Sequence, residues 1–530
     1  MLSLTHASRR SSAFVALIVG VAGCSSVQPR SETTAPAVRP LSQPERVAHV
    51  LSRLTFGARP GDAERVAAMG IDRWIEQQLR PETIVDSVVI VALAPISVWS
   101  QPATNIGLIT AEPRLASMTM SALLKDSTAQ AALSQLKLRF VSLYSLYDVF
   151  AAGKVIRAQV SERQLHEVLS DFWENHFSVY SGKMPSREAL PVLERDAVRP
   201  RALGTFRDLL GAVAHSPAML FYLDNQLSTS RGLNENYARE LLELHTLGVD
   251  GGYTQQDVIE VARALTGWTI STSSGQSVFV FRREQHDTGS KMILGHTLRS
   301  GRGIEDGEEV LDIIARHPST ARHIAFKLAR RLVSDEPPPA LVDRAAATFL
   351  RTDGDIAQVV RTIVTSPEFF SRAAFRAKVK TPFELVMSVR RALDAPVDTT
   401  PTTARLIAQL GQPTFGWQAP DGWPEKGAAW MNSAAIYKRI KFAGDVANGS
   451  PAFIALDRWR GWATLSTLPL NRQVDGVVMD MLGGYAEPAT REGMLAIRPA
   501  DAADTTADDG PRRLRELLSI ALSSPEFQRR

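Results

Sequence analysis

Cysteine is almost absent from this chain of 530 residues, which contains only one, Cys24. A single thiol cannot form an intramolecular disulfide, so no cross-link supports the fold. Hydrophobic residues make up 44% of the sequence, which is enough for a core of ordinary size. The composition therefore predicts a globular protein whose stability comes from packing.

Long hydrophobic runs are missing as well. The N-terminal run from Ala13 to Gly23 has about 11 residues, whereas a helix that crosses a bilayer needs about 20. The run follows Arg9 and Arg10 and ends in small residues before Cys24. This pattern is typical of a signal peptide, which we place at residues 1–23. An ordinary cleaved signal followed by a chance cysteine is the alternative.

The chain also lacks a strong excess of charge, with a net charge of +4 and a pI near 9.2. No dense basic run interleaved with aromatic residues occurs, which argues against nucleic acid as a partner. Common catalytic motifs are missing too, since the sequence contains no G-x-S-x-G, Walker A, H-E-x-x-H or C-x-x-C.

Residues 24–41 are rich in Ser, Thr, Pro and Ala, which predicts a flexible tether. From 42 to 530 the apolar residues recur at helical spacing, so we predict one large, mainly α domain. The strand-like interval 277–281 is expected to pair with 292–294 as a small β-hairpin. A division of this domain into two lobes, with a boundary near 394–403, is the alternative to a single lobe.

Segment 234–248 concentrates three carboxylates, an Arg and a His in about four helical turns. On a helix, Asn236, Glu240 and Glu243 share one stripe, and Arg239 borders it. Carboxylates one turn apart can share a metal ion or divide acid and base roles. The alternative is a solvated helix face with ion pairs within the helix.

A second polar group lies at 171–177, where Glu174 and His176 occur among aromatic residues. His286 and Asp287 follow the predicted strand in a loop. If the fold brings these residues to the acidic stripe, they suit a divalent metal as cofactor. The candidate metal ligands are His176, Glu240, Glu243, His286 and Asp287. A histidine among aromatic rings can equally be a hydrogen-bonded structural residue.

Aromatic residues also cluster in the Gly- and Pro-rich segment 412–430, which includes Trp417, Trp423 and Trp430. Rings on such a loop suit a surface that binds a sugar or a peptide. The alternative is a loop that its own rings pack onto the helical body.

In their order and spacing these motifs resemble the bacterial family called domain of unknown function 1800. The matching segments include 53–57, 171–177, 234–248, 252–268, 380–384 and 411–430. The resemblance covers the chain from about residue 41 to its last residue. Many members carry a second histidine where this chain has Glu174, so the resemblance does not imply a two-histidine ligand set here. Genes of the family often neighbour those of the exported domain of unknown function 1501 family, which implies a protein partner.

The sequence Val21-Ala22-Gly23-Cys24 resembles the lipobox of bacterial lipoproteins, whose cysteine is lipidated and becomes the first mature residue. The resemblance implies an exported protein with a membrane anchor at Cys24, since the three acyl chains usual in such proteins hold firmly. Ser25 replaces the aspartate that retains lipoproteins at the inner membrane. We therefore expect the outer membrane, with the domain facing the periplasm or the cell surface.

Two hypotheses about function follow. The first is a non-catalytic binding or scaffold protein of the cell envelope that acts with an exported partner. The second is a metal-dependent, hydrolase-like enzyme centred on His176, Glu240 and Glu243. The sequence identifies no reaction and no substrate.

Overall fold

The computed structural model describes residues 39–94, 125–128, 131, 143–183, 186–273, 276–449, 456–497 and 509–530. The predicted signal peptide, Cys24 and the tether up to residue 38 lie outside these ranges. Within them, no helix combines the length and the apolar character that a membrane crossing requires.

The predicted mainly α fold is confirmed. The helices that precede the first strand are α1 (Gln43–Leu54), α2 (Asp62–Met69), α3 (Ile71–Gln78), α4 (Ser87–Leu93), α5 (Leu143–Val160), α6 (Gln164–His176), α7 (Ser186–Val192), α8 (Phe206–Ala214), α9 (Pro217–Tyr222), α10 (Asn236–Glu240) and α11 (Gln255–Ala264). Two π-helices continue α7 and α10, and they are π1 (Leu193–Val198) and π2 (Leu241–Thr246).

The helices that follow the strands are α12 (Glu305–Ala315), α13 (Pro318–Leu332), α14 (Pro339–Arg351), α15 (Ile356–Val364), α16 (Pro382–Ala392), α17 (Thr402–Gln409), α18 (Ser433–Ala447), α19 (Arg460–Leu465), α20 (Leu470–Leu482), α21 (Pro488–Leu495), α22 (Asp509–Ser523) and α23 (Pro525–Gln528). Short 3-10 turns lie at Pro81–Thr83, Arg199–Arg201, Asn225–Leu227, Arg283–Gln285, Gly427–Trp430 and Leu456–Arg458.

Capping boxes explain where two of these helices begin. At α11 the Thr254 hydroxyl accepts a hydrogen bond from the Asp257 amide, and the Asp257 carboxylate accepts one from the Thr254 amide at 2.8 Å. Thr381 and Glu384 make the same pair of bonds at α16. Each box satisfies two N–H groups that the first helical turn leaves free.

Two small antiparallel sheets interrupt the helices. Strand β1 (Trp268–Ser273) pairs with β2 (Gln276–Phe281), and β3 (Lys291–Ile293) pairs with β4 (His296–Leu298). The predicted strands at 277–281 and 292–294 exist, but their predicted pairing is wrong. Leu294 and Gly295 have φ of 50° and 82°, as a tight hairpin turn requires, so β3 turns back onto β4.

Residues Pro40–Arg530 form one compact unit with two clusters of buried hydrophobic side chains. The first cluster runs from Val47 to Ala374. The second includes α16 and the helices after it, with additions from α5 and α6 such as Val155 and Val168. The change of cluster thus falls between 374 and 383, and the interval 394–403 connects two helices of the second cluster.

Candidate functional site

The 234–248 segment forms a helix that changes type halfway. The α-helical turns of α10 pass into π2, and the chain leaves it at Gly248 with φ of 86°. π-Helical turns are rare and frequently lie at functional sites. Because the π-turn alters the spacing of side chains, an α-helical wheel does not describe this segment correctly.

The acidic stripe lies at the surface of the domain instead of in its interior. Asn236 is exposed, and Glu240 and Glu243 are half-buried. Burial raises the pKa of Glu240, and the neighbouring carboxylate of Glu243 adds to the effect. Arg239 forms its ion pair with Glu235 at 3.2 Å and hydrogen-bonds Gln255 of α11. The stripe is therefore a partly solvated rim whose arginine ties α10 to α11.

Behind this rim lies a group of three histidines, of which His176 and His245 are buried and His323 is half-buried. The Nε2 atom of His176 is 3.1 Å from the carbonyl oxygen of His245, and the ring centres of His176 and His323 are 6.4 Å apart. Burial, followed by Lys327, lowers the pKa of His176 well below its usual value. The same two causes lower the pKa to about 3 in His245 and to about 4 in His323. All three imidazoles are therefore neutral near pH 7.

The tryptophan loop, residues 412–430, covers the C-terminal end of α6. The Asn175 side chain donates to the Trp423 carbonyl at 2.9 Å and accepts from the Trp423 amide at 2.7 Å. Gly422 has a φ of 77° and leaves no room for a side chain, since a Cβ there would lie 2.2 Å from the Asn175 carbonyl oxygen. The loop is thus docked on α6 by its backbone.

The rings of this loop pack on one another. The ring centres of Trp417 and Trp423 are 4.8 Å apart, and those of Trp423 and Trp430 are 5.7 Å apart. The indole N–H of Trp417 donates to Asp421, and that of Trp430 donates to the Pro424 carbonyl. These contacts favour the packed-loop alternative over an open surface for sugars.

Beneath the loop runs a network of buried charges. Lys154 Nζ lies 2.8 Å from Asp171 and 2.7 Å from Glu174. Arg331 pairs with Asp171 at 2.9 Å and with Glu384 at 3.1 Å. Burial by itself lowers the pKa of Lys154. The two carboxylates outweigh burial and raise this pKa above its usual value. Despite burial, the cations lower the pKa of Asp171 and of Glu384, whereas burial raises the pKa of Glu174 in spite of Lys154.

A cavity of about 40 Å³ lies between this network and the tryptophan loop. Lys154, Asp171 and Glu174 line it on one side, and Phe415 and Trp423 on the other. A volume of this size holds a few water molecules and is far below the roughly 300 Å³ at which ligand pockets begin. The cavity is too small for an organic substrate.

A buried carboxyl group adjoins the network at π1. Glu194 is fully buried, and its nearest charged partner is Arg199 at 3.5 Å. Burial, and then the charge of Glu174, raises the pKa of Glu194 to about 8. Arg199 is engaged more closely by Glu167, at 2.5 Å. Glu194 is therefore protonated at neutral pH.

His286 and Asp287 belong to a different neighbourhood. His286 is buried, with Nδ1 at 2.8 Å from the Thr266 carbonyl oxygen and Nε2 at 3.4 Å from Asp306. Asp287 accepts two hydrogen bonds from Arg263, at 2.9 and 3.1 Å. Both residues fix the chain between β2 and β3.

The five predicted metal ligands are not assembled into a site. Within the described ranges, no group of three or more His, Cys, Asp and Glu side chains is arranged to hold a metal ion. His176 contacts the backbone of the 234–248 segment, while Glu240 and Glu243 lie on its half-buried outer face and His286 and Asp287 have partners elsewhere. Glu174 forms an ion pair with Lys154, so it does not take the place of a second histidine ligand.

Sequence reasoning missed the partners in the charge network. Lys154, Arg331 and Glu384 come from three helices far apart along the chain. Asp171, Glu174 and Glu384 fall within segments of the family resemblance, whereas Lys154 and Arg331 do not. The sequence does point to a structural role for Glu384, because it follows Thr381 by three residues, which is the spacing of a capping box.

Comparisons with known proteins give one match. The family model described as "Protein of unknown function (DUF1800)" matches residues 49–529, nearly the whole compact unit. No curated protein and no solved structure matches the chain.

Proposed function

The chain belongs to the DUF1800 family, and from this premise we propose that it is a lipid-anchored binding or scaffold protein of the cell envelope that acts with an exported protein partner. The partner is a member of the domain of unknown function 1501 family, whose genes often lie beside those of this family. The anchor is Cys24, and the location is the outer membrane.

The sequence around Cys24 supports the anchor. A short apolar run follows two arginines and ends in Val-Ala-Gly-Cys, and the Ser/Thr/Pro/Ala-rich tether separates Cys24 from the domain. With one cysteine in the chain, lipidation has a single possible thiol.

The observation that carries the binding role is an exposed apolar face on α18. Tyr437 is 67% exposed and Ile440 is 54% exposed, with Ile436 and Met431 beside them. Residues 436 and 440 are one helical turn apart and so share a face. Exposed apolar patches on a well-packed protein mark interaction sites, and tyrosine is a frequent anchor in them.

The buried polar groups support a non-catalytic role. The charges of the network are matched in pairs, the histidines are neutral, and the cavity beside them is too small for a substrate. Such groups fix a rigid body. A rigid body that presents one apolar helix face suits a scaffold better than an enzyme.

The anchor is tested by Cys24→Ser expressed in the native host with a radiolabelled fatty acid. We expect the parent chain to incorporate label and to sediment with outer membranes. The variant should incorporate none and should appear in the soluble fraction. A parent chain that takes up no label would remove the anchor from the proposal.

The docking face is tested by crosslinking in the native host, comparing the parent with the double variant Ile436→Glu/Ile440→Glu. We expect one dominant exported partner with the parent and at least a tenfold lower yield with the variant, because a buried charge opposes docking. Leu350→Glu is the matched control, since Leu350 is an exposed apolar residue of α14.

Two outcomes would contradict the docking proposal. One is a partner captured equally well by the parent and the double variant, which would place the interface elsewhere. The other is that the parent yields no exported partner although the crosslinker reaches its surface lysines.

A further inference from the structure

A second cavity, much larger than the first, lies on another side of the domain. Its volume is about 400 Å³, within the range of sites that enclose a small organic ligand. It is bounded by α1, the turn between α1 and α2, α16, α20 and the chain after α22. Nothing in the proposed scaffold function uses it.

Apolar side chains form most of its wall. Val47 and Leu51 come from α1, Leu482 comes from the end of α20, and Phe375 and Phe527 close other sides. These positions suit a hydrocarbon chain, because each buried CH₂ contributes about 0.8 kcal/mol.

One buried cation faces this apolar space. Lys380 is 8% exposed, its Nζ donates to Ser388 Oγ at 3.1 Å, and it lies 4.0 Å from the ring centre of Phe527. Among the described residues, no carboxylate forms an ion pair with it. The carboxylate of Glu384 is engaged by Arg331 and Arg530 at 3.1 and 3.0 Å.

The surroundings of Lys380 favour an anion. Burial lowers the pKa of Lys380 to about 7; Glu384 opposes this shift, and Arg376, Arg530 and Arg439 add to it. A bound anion would therefore stabilise the ammonium form. Among the buried described residues of the lining, Lys380 is the cation, and it has no carboxylate partner. A head with a single negative charge therefore matches it, whereas a second buried charge would need a partner of its own.

Six other ionic side chains line the cavity. Glu64, Asp480 and Arg529 are exposed, and Arg59 is paired with Glu162. The remaining two, Glu526 and Arg376, are hydrogen-bonded. Glu526 accepts hydrogen bonds from the Glu487 amide at 2.7 Å and from Thr490 at 3.1 Å. Arg376 donates to the Leu482 carbonyl at 2.5 Å. They leave Lys380 as the buried group that can bind the head of a ligand.

We propose that this cavity binds an amphiphile with one apolar chain and a carboxylate head, the chain lying among Val47, Leu51 and Leu482 and the head accepting a hydrogen bond from Lys380. The chemical class is that of a fatty acid. The inference is independent of the membrane anchor and of the docking face.

The test is calorimetric titration of laurate into the full Cys24→Ser chain, without detergent and below the concentration at which laurate aggregates. We expect one site per chain and proton uptake on binding at pH 7. Affinity should fall at least about tenfold between pH 6 and pH 9, because Lys380 loses its proton through this range while laurate stays ionised.

Three comparisons make the test specific. Lys380→Met should weaken binding at pH 6 at least about tenfold and remove the pH dependence. Ala48→Phe should abolish binding, since Ala48 lines the cavity, whereas Ala347→Phe, at an exposed position of α14, should leave it unchanged. Dodecyltrimethylammonium, with the same chain and a cationic head, should bind far more weakly than laurate.

Each comparison also has an outcome that overturns the proposal. No saturable laurate binding would remove the site. Equal binding by Lys380→Met would remove the head contact. Equal binding of the cationic amphiphile, or of laurate by Ala48→Phe, would mean adventitious surfactant binding only. Thermal unfolding of each variant shows whether its loss of binding reflects a loss of fold.

Discussion

At the scale of single residues, buried charges in this protein are matched by partners from distant parts of the chain. Lys154 holds two carboxylates, and Arg331 bridges Asp171 to Glu384. Removing one member of such a pair leaves an uncompensated charge in a medium of low dielectric constant. The stability of the domain should therefore be sensitive to these few positions.

Lys154→Met tests this directly. We expect the free energy of unfolding at pH 7 to fall by about 3–5 kcal/mol, because Glu174 loses its ion-pair partner and Asp171 retains only Arg331. Urea denaturation followed by circular dichroism measures the change. Lys441→Met is the control, since it removes an exposed ion pair with Asp445 and should leave the unfolding midpoint unchanged. Equal losses in the two variants would contradict the special role of Lys154.

Glu194→Gln should stabilise the domain in a way that depends on pH. The pKa of Glu194 is about 8 in the folded protein and about 4.5 in the unfolded chain, so the folded state holds an extra proton between these values. Stability of the parent therefore falls as the pH rises through this range. Glutamine does not titrate, so the variant should match the parent near pH 4.5 and exceed it by about 1 kcal/mol or more at pH 8.

Thermal unfolding at several pH values checks this expectation. Glu492→Gln, at an exposed position, should follow the parent at every pH. A Glu194→Gln variant with the pH profile of the parent would show that another group titrates.

The residues of the candidate site were predictable only in part. Spacing along the chain correctly singled out segments 171–177 and 234–248, which do meet through His176 and His245. It could not show that Lys154 and Arg331 pair with Asp171, because contacts between different helices leave no periodic signal along the chain. That the five predicted metal ligands do not come together could not be foreseen for the same reason, since no local pattern shows where His286 lies in the fold.

At the scale of elements, the change from α10 to π2 sets the geometry of the 234–248 segment. The segment ends at Gly248, whose φ of 86° is strained for any residue with a side chain. His323 of α13 also packs directly on it, since a Cβ at Gly248 would lie 2.9 Å from the His323 ring. The positive φ and the close contact with His323 therefore both require glycine at position 248.

Gly248→Ala and Gly252→Ala separate these two requirements. Both glycines have a φ of 86°, but a Cβ at Gly252 would meet nothing within 4 Å. We expect Gly252→Ala to cost about 1 kcal/mol through backbone strain alone. Gly248→Ala should cost at least about 1 kcal/mol more, because His323 must move. Chemical denaturation measures the loss of unfolding free energy in both variants. Equal losses would show that the His323 ring moves aside without an energetic penalty.

Helices were predictable from the sequence and sheet pairing was not. Apolar residues at helical spacing are a local signal, and the mainly α domain predicted from them is confirmed. Strand β1 begins four residues after α11 ends, and no strand was predicted at 268–273. Because β1 was not predicted, the strand at 277–281 was expected to pair with 292–294.

At the scale of the whole molecule, the last residue of the chain joins helices from its beginning and middle. The backbone of Arg530 pairs with Lys378 in both directions, at 2.8 and 3.1 Å. Its buried side chain pairs with Glu384 at 3.0 Å and donates to the carbonyl oxygens of Arg331 and Arg53, the latter at the end of α1.

Arg530→Met and Arg529→Met form a matched pair that tests this junction. Arg530 is 3% exposed, whereas its neighbour Arg529 is exposed. We expect Arg530→Met to lower the free energy of unfolding by about 3 kcal/mol and Arg529→Met to change it little. Urea denaturation measures both. Comparable effects would mean that the terminal guanidinium contributes no more than a surface charge.

The junction at Arg530 has a consequence for the order of folding. Its contact with Arg53 spans 477 positions, so α1 gains this partner only after 477 further residues have been added to the chain. Contacts of such long range form late and slowly. A nascent or partly delivered polypeptide that still lacks Arg530 would therefore stay open and threadable, and the domain would close only once this residue had joined α1.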